Sequence, residues 1–185
     1  MIRYINLIVV LIILYGYTVT RYVEVVPTFP IFYPSNIDES QEVLQYMKNR
    51  TNQQVKLFYE TDRTVSVAFS KIIPETIDKL DKIIVYYTPF ILFLKHLLNR
   101  ARPAQINSNI KNNQLLSNSA ATPAYPSGHS FQAFILACKM SKKYPEKKEQ
   151  LYTLAEDCGY ARIIAGLHYP SDHRFSKALV EMFCL

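Results

Sequence analysis

Residues 125–143 read YPSGHSFQAFILACKMSKK, and this stretch decides the fold class. Phe131, Phe134, Ile135 and Cys138 recur at the three- and four-residue spacing of one helical face, with Met140 also available to a core. Ser127 stands where an N-cap belongs, and Gly128 lets backbone approach a ligand closely. The chain downstream carries a second helical segment over 147–166 and a last short helix after Pro170. Upstream, Ile83–Ala101 reads as a long helix with an apolar body, kinked at Pro89. Shorter helices fit Glu75–Lys82 (where Pro74 suits a helix start), 64–72, 52–60 and 39–49, the last capped by Ser35 or Asp38. Residues 104–125, rich in Asn, Ser, Ala and Gln, read as one long polar loop, and 22–37 with three prolines as an extended lead-in. No alternating run is long enough to build a sheet, and no internal repeat occurs. The expected fold is all-α: a single compact helical bundle.

The whole chain has 185 residues, 49% of them hydrophobic, which is room for one buried core. Its net charge of +6 is not spread evenly. Residues 82–145 hold eight Lys and Arg and no carboxylate, whereas the flanking segments are close to neutral. This excludes an all-over polybasic protein and points to a localised anion site.

At the N-terminus, Arg3 precedes the apolar run Leu7–Val19, a charged region followed by a hydrophobic one. Residues 1–20 are expected to be a signal peptide or an N-terminal membrane anchor, ahead of a helical domain over 21–185. The protein is then exported, or held at a membrane by that segment. A spanning helix needs about twenty apolar residues, and no other run approaches that. Of the three cysteines, Cys138, Cys158 and Cys184, either all are free thiols or one pair is bridged and one thiol is left over.

Three small constellations carry chemistry. In the first, Lys95 and Arg102 lie nearly two helical turns apart and project from similar sides, and Pro103 ends the helix. Lys95 follows Phe90–Leu94, an unfavourable place for a cation without a nearby anion, although two snorkelling side chains would also explain the pair. In the second, Ser127-Gly128-His129 opens a helix whose free N–H groups suit a phosphate, or else forms an ordinary loop-to-helix junction. In the third, Arg162 lies in an apolar helical segment, His168 in a loop before Pro170, and Asp172 in the following first turn, within reach of the His168 ring. A capped surface turn would account equally for His168 and Asp172. His129, His168 and Asp172 could also ligate zinc, but three neighbouring cations would repel a metal and attract phosphate.

Taken together in this order, Lys95–Pro103, Pro126–His129 and Arg162–Asp172 resemble the tripartite signature of the type 2 phosphatidic acid phosphatase superfamily. That superfamily includes the bacterial non-specific acid phosphatases, whose compact style this chain is nearest to, and the vanadium haloperoxidases. The resemblance implies an all-helical bundle with the site at its core. It implies that Lys95, Arg102, Ser127, Gly128 and Arg162 hold the phosphoryl group. It further implies that His168 is the nucleophile, Asp172 orients it, and His129 serves as general acid and then base. Departures are Ala161 before Arg162 where serine is usual, His173 and Ser176 where small residues are common, and a short C-terminal remainder. They bear on packing more than on chemistry.

The reading is therefore a phosphoric monoester hydrolase working through a phosphohistidine, without a metal or other cofactor. Its substrate is a phosphorylated small molecule or lipid, with membrane contact through the N-terminal segment. Alternatives are a lipid phosphate or isoprenoid pyrophosphate phosphatase at a membrane surface, a vanadium-dependent haloperoxidase, and a non-catalytic phosphate-binding protein. Nucleic acid is not expected as a partner, since the key cations belong to the three motifs.

Overall fold

A computed structural model describes residues 33–184. The expectation for residues 1–20 lies outside them. The described residues are helical and contain no strand, as the periodicity of 125–143 implies. The elements are α1 (Asn36–Lys48), α2 (Asn52–Thr61), α3 (Ser66–Phe69), α4 (Ile77–Leu98), α5 (Pro103–Ile106), α6 (Ser108–Asn113), α7 (Gly128–Lys143), α8 (Lys148–Ile164) and α9 (Pro170–Phe183). None of these helices is both long and apolar enough to cross a membrane.

Helix α7 is the centre. Phe131, Ala133, Phe134, Ile135, Leu136, Ala137 and Cys138 are all buried, and α8, α9 and α4 pack around it. Burying each large apolar side chain contributes roughly 1.5–3 kcal/mol, so this helix is the main apolar anchor of the bundle. A Cys138–Cys184 disulfide ties the end of α9 back to α7, and Cys158 is a buried free thiol. One bridge and one spare thiol is thus the arrangement present.

Several boundaries differ from the sequence expectations. The segments Glu75–Lys82 and Ile83–Ala101 are one helix, α4, capped by Thr76 rather than started by Pro74. That helix runs through Pro89, with the Thr88 hydroxyl donating to the Ile84 carbonyl in the preceding turn. It stops at Leu98, because Asn99 takes a left-handed conformation (φ 44°) that asparagine tolerates. The polar stretch 104–125 is not one loop. It folds into α5, α6 and a 3₁₀ turn at Asn118–Ala121, with Asn107 and Ser117 side chains capping the latter two. The 64–72 segment contracts to α3, and α1 starts earlier than expected, capped by Ser35.

The closing helix α9 has 14 residues and is well seated despite its unusual side chains. The His173 ring takes the space that Gly159 leaves: a Cβ on Gly159 would fall 2.1 Å from His173 Nδ1. That ring bonds Ser130 Oγ at 3.0 Å and Glu156 Oε2 at 2.8 Å. The Ser176 hydroxyl donates to the carbonyls of Ser127 and Asp172. Both residues therefore stitch α9 to the start of α7. Ala161, where serine is usual, packs beside Phe58 and Leu167.

Candidate active site

Lys95 comes from the last turns of α4, and Arg102 from the turn that Asn99 creates. Ser127 caps α7, with Gly128 and His129 in its first turn. Arg162 comes from the end of α8 and Asp172 from the first turn of α9. His168 sits in the turn between α8 and α9. Gly166 makes that turn feasible, since its φ of +78° suits glycine and a Cβ there would press on Ile110 and Met47 at 3.0 Å.

Every candidate residue is brought to one place. Arg102, Lys95, Arg162 and His129 all lie close enough to act electrostatically on His168. Gly128 lies against Lys95: a Cβ on Gly128 would be 3.5 Å from the lysine Cε. The Ser127 backbone N–H donates to the Asp172 carbonyl at 3.2 Å, and its hydroxyl accepts from Ser130, which fixes the turn.

The hydrogen bonds specify the chemistry of the two histidines. Arg102 Nη1 lies 3.0 Å from His168 Nε2, and a guanidinium can only donate. His168 Nε2 is therefore an acceptor, and its lone pair receives the Arg102 N–H. Its other nitrogen, Nδ1, lies 2.9 Å from Asp172 Oδ2 and carries the proton. The same carboxylate oxygen accepts from the Tyr169 N–H at 2.9 Å, so the orienting group is itself held. His129 has the opposite tautomer. Its Nε2 lies 3.0 Å from the Asp62 carbonyl oxygen, which can only accept, so Nε2 carries the proton and Nδ1 the lone pair.

The three cations are buried. Lys95 Nζ donates to the Pro123 carbonyl at 2.7 Å and the Ala124 carbonyl at 3.5 Å, two neutral acceptors. Arg102 donates to the carbonyls of Thr122 and Leu167. Arg162 donates to Asp62 Oδ1 at 2.7 Å and to the Ser117 and Ser119 hydroxyls, stacks on Phe58, and has Nε buried with no hydrogen-bond partner among the described residues. That orphaned donor and the carbonyl-bound ammonium fit an oxyanion.

Burial, and then the Arg102 cation, hold the Lys95 ammonium well below its ordinary range. Burial and Arg162 push His129 down to about 3. Burial, with Arg102 next, drives His168 well below a free imidazole. Both histidines are neutral at pH 7, and an arriving anion would raise all three groups.

Four contributors escaped the sequence reading: Arg100, Glu39, Asp62 and the Ser117/Ser119 pair. Arg100 is fully buried and bonds Asp172 Oδ1 at 2.7 Å. Asp62 holds Arg162 with its side chain and His129 with its backbone. Burial works against the Asp62 charge, but hydrogen bonds from Ser117 and Arg162 outweigh it and keep the carboxylate below its ordinary range. Among the described residues no three His, Cys, Asp or Glu side chains cluster as a metal site would.

A family model described as the PAP2 superfamily matches residues 66–183. A non-specific acid phosphatase of Salmonella typhimurium is 33% identical over 84 residues, which is 45% of this chain and 28% of that protein. The match thus spans little more than a quarter of that relative's length. Glu39 and Asp62 lie outside the residues that the family model matches.

Proposed function

The chain belongs to the PAP2 superfamily, and from that premise we propose that it hydrolyses phosphomonoesters through a phosphohistidine on His168. One observation carries the reading. His168 is held as a neutral ring, its Nδ1–H on Asp172 and its Nε2 lone pair turned to the Arg102 guanidinium, beside Lys95 and Arg162.

The ester phosphoryl group would take up donors from Lys95, Arg102, Arg162 Nε and the Gly128 end of α7, three cations aimed at one dianion. As Arg102 shifts its N–H from His168 Nε2 to a phosphoryl oxygen, the freed lone pair attacks phosphorus, a P–N bond forms and the P–O bond to the leaving group breaks. Asp172 compensates the positive charge that the ring acquires. His129, protonated once the anion beside it has raised its proton affinity, gives the leaving oxygen a proton from Nδ1. A water then attacks phosphorus, His129 takes its proton, and the P–N bond breaks to regenerate neutral His168. The three cations supply the charge stabilisation, so no metal has a step to perform. Because His129 must be protonated and His168 neutral, the optimum lies at mildly acidic to neutral pH.

A panel of phosphoesters assayed in EDTA, with vanadate as inhibitor, tests this. Hydrolysis in EDTA and inhibition by vanadate are expected. Activity that needs added zinc, or halide oxidation by peroxide with vanadate and no hydrolysis, would overturn it.

A lipid phosphate presented at a membrane surface is a second reading. It is favoured by the outward face of α4, the helix that carries Lys95, where Val85 and Tyr86 are 66% and 77% exposed and Phe90 and Leu97 are exposed further along the helix. Faster turnover of vesicle-borne than of soluble phosphomonoesters would select it.

A further inference from the structure

Behind the nucleophile lies a buried ionic chain that begins on α1. Glu39, in the first turn of α1, is 5% exposed, and Arg100 and Asp172 are both at 0%. Arg100 Nη2 donates to Glu39 Oε2 at 2.6 Å, and its Nη1 donates to Asp172 Oδ1 at 2.7 Å. Ser171 closes the arrangement: its N–H donates to Glu39 Oε1 at 3.0 Å, and its hydroxyl bonds both Arg100 Nη1 and Glu39 Oε2. The guanidinium carbon lies 3.8 Å from the Tyr169 ring centroid and 4.3 Å from that of Tyr33. Arg174, largely exposed, reaches Glu39 Oε1 at 3.5 Å.

Stability alone is a poor reason for such a chain. Burying charges incurs a desolvation penalty that a pair at best roughly offsets, and α1 already docks through Val43 and Met47. Its charge count gives a better one. Asp172 and Arg100 neutralise each other, and three further cations surround His168. Among the buried groups, Asp172 and Glu39 against Arg100 leave one net negative charge behind the ring when phosphorylation makes it cationic, and solvent screens the exposed Arg174. Burial opposes the Arg100 charge, but Asp172 and Glu39 outweigh that and hold the guanidinium above its ordinary range.

We propose that Glu39, acting through Arg100, is a positioning residue that sets how strongly Asp172 holds and compensates the His168 ring. This rests on His168 being the nucleophile. It also assigns α1, outside the matched 66–183 stretch, a part in the site.

The test is Glu39→Gln in the full chain, compared with wild type by kcat, by the dissociation constant of inorganic phosphate, and by the nitrogen-15 resonance of His168 Nδ1. The expected result is a kcat lowered about 10-fold or more, the size of loss that removing the outer hydrogen-bond partner of a metal-ligating histidine brings. Phosphate should bind as tightly as before or more tightly, because a negative charge has left the neighbourhood, and the His168 Nδ1 signal should move. Ser171→Ala, a milder change, should shift kcat and the resonance in the same direction by less, and decides the matter if Glu39→Gln does not fold. A kcat within twofold of wild type with an unmoved His168 signal would overturn the proposal. So would kcat and phosphate affinity falling together, since that is general damage. Should His168 carry no phosphoryl group during turnover, the proposed function fails, while a moved His168 resonance would still establish the coupling to Glu39.

Discussion

The two histidines of the site share an environment and differ in their anchors. Both are neutral rings among the same cations. His168 is gripped at Nδ1 by a carboxylate that is itself gripped by Arg100, and it offers Nε2. His129 is half-buried, is held at Nε2 by a backbone carbonyl, and offers Nδ1. A carboxylate behind a ring stabilises the full positive charge of a covalent phosphohistidine. A carbonyl only fixes orientation, which suffices for a ring that passes a proton back and forth. In the proposed mechanism the anchor, more than the proton affinity, separates nucleophile from acid.

Removing the side with the carboxylate should have the larger effect. His168→Ala is expected to lose at least ~2–4 orders of magnitude in kcat, the loss typical of deleting a nucleophile. Asp172→Asn, which keeps shape but loses the charge, should follow it closely. Wild-type turnover in either variant would erase the distinction between the two rings.

His129→Ala breaks the comparison from the other side. For an alkyl phosphate the loss should be about 10²–10⁴-fold, the usual contribution of a positioned acid. For a nitrophenyl phosphate, whose leaving group needs no proton, formation of the intermediate should be nearly unaffected. Equal losses on both esters would contradict the acid role.

A smaller effect is expected on stability. A histidine held below its ordinary value of 6.5 takes up a proton on unfolding. Its contribution is therefore complete above about pH 6.5 and is lost as pH falls toward about 3, the value for His129. The Tm should drop across that window, inorganic phosphate should restore more of it at pH 5 than at pH 7, and His129→Gln should flatten the slope. A Tm that is level from pH 7 to pH 4 would speak against two rings held neutral in the folded protein. The smallest effect on turnover should come from opening Cys138–Cys184, which closes 46 residues. Its loss should lower stability by about 4 kcal/mol on loop-closure grounds and leave kcat near wild type. A large fall in kcat in a folded Cys184→Ser variant would show that the end of α9 reaches the chemistry.

The residues proposed to hold or attack the phosphoryl group are legible because each lies in a short local pattern: Lys95 to Arg102 along one stretch, Gly128 just after the Ser127 cap, and His168 four residues before Asp172. Their partners are not. Glu39 is 61 residues from Arg100 in sequence, and Asp62 is 100 from Arg162. No periodicity links residues so far apart, and Arg100 registered only as one of eight central charges. The helices α5 and α6 are not legible in the sequence because four and six residues give too little apolar repeat to distinguish them from a polar loop. Sequence divides 75–82 from 83–101 because composition changes at Ile83, although no residue there interrupts the backbone hydrogen bonds.

The most direct measurement is to quench the protein in alkali during turnover of a labelled phosphoester and map the label by mass spectrometry. The account predicts phosphate on His168, absent in His168→Ala and accumulating in His129→Ala with the nitrophenyl ester. Label on any other residue, or unlabelled protein with turnover intact in His168→Ala, would contradict it.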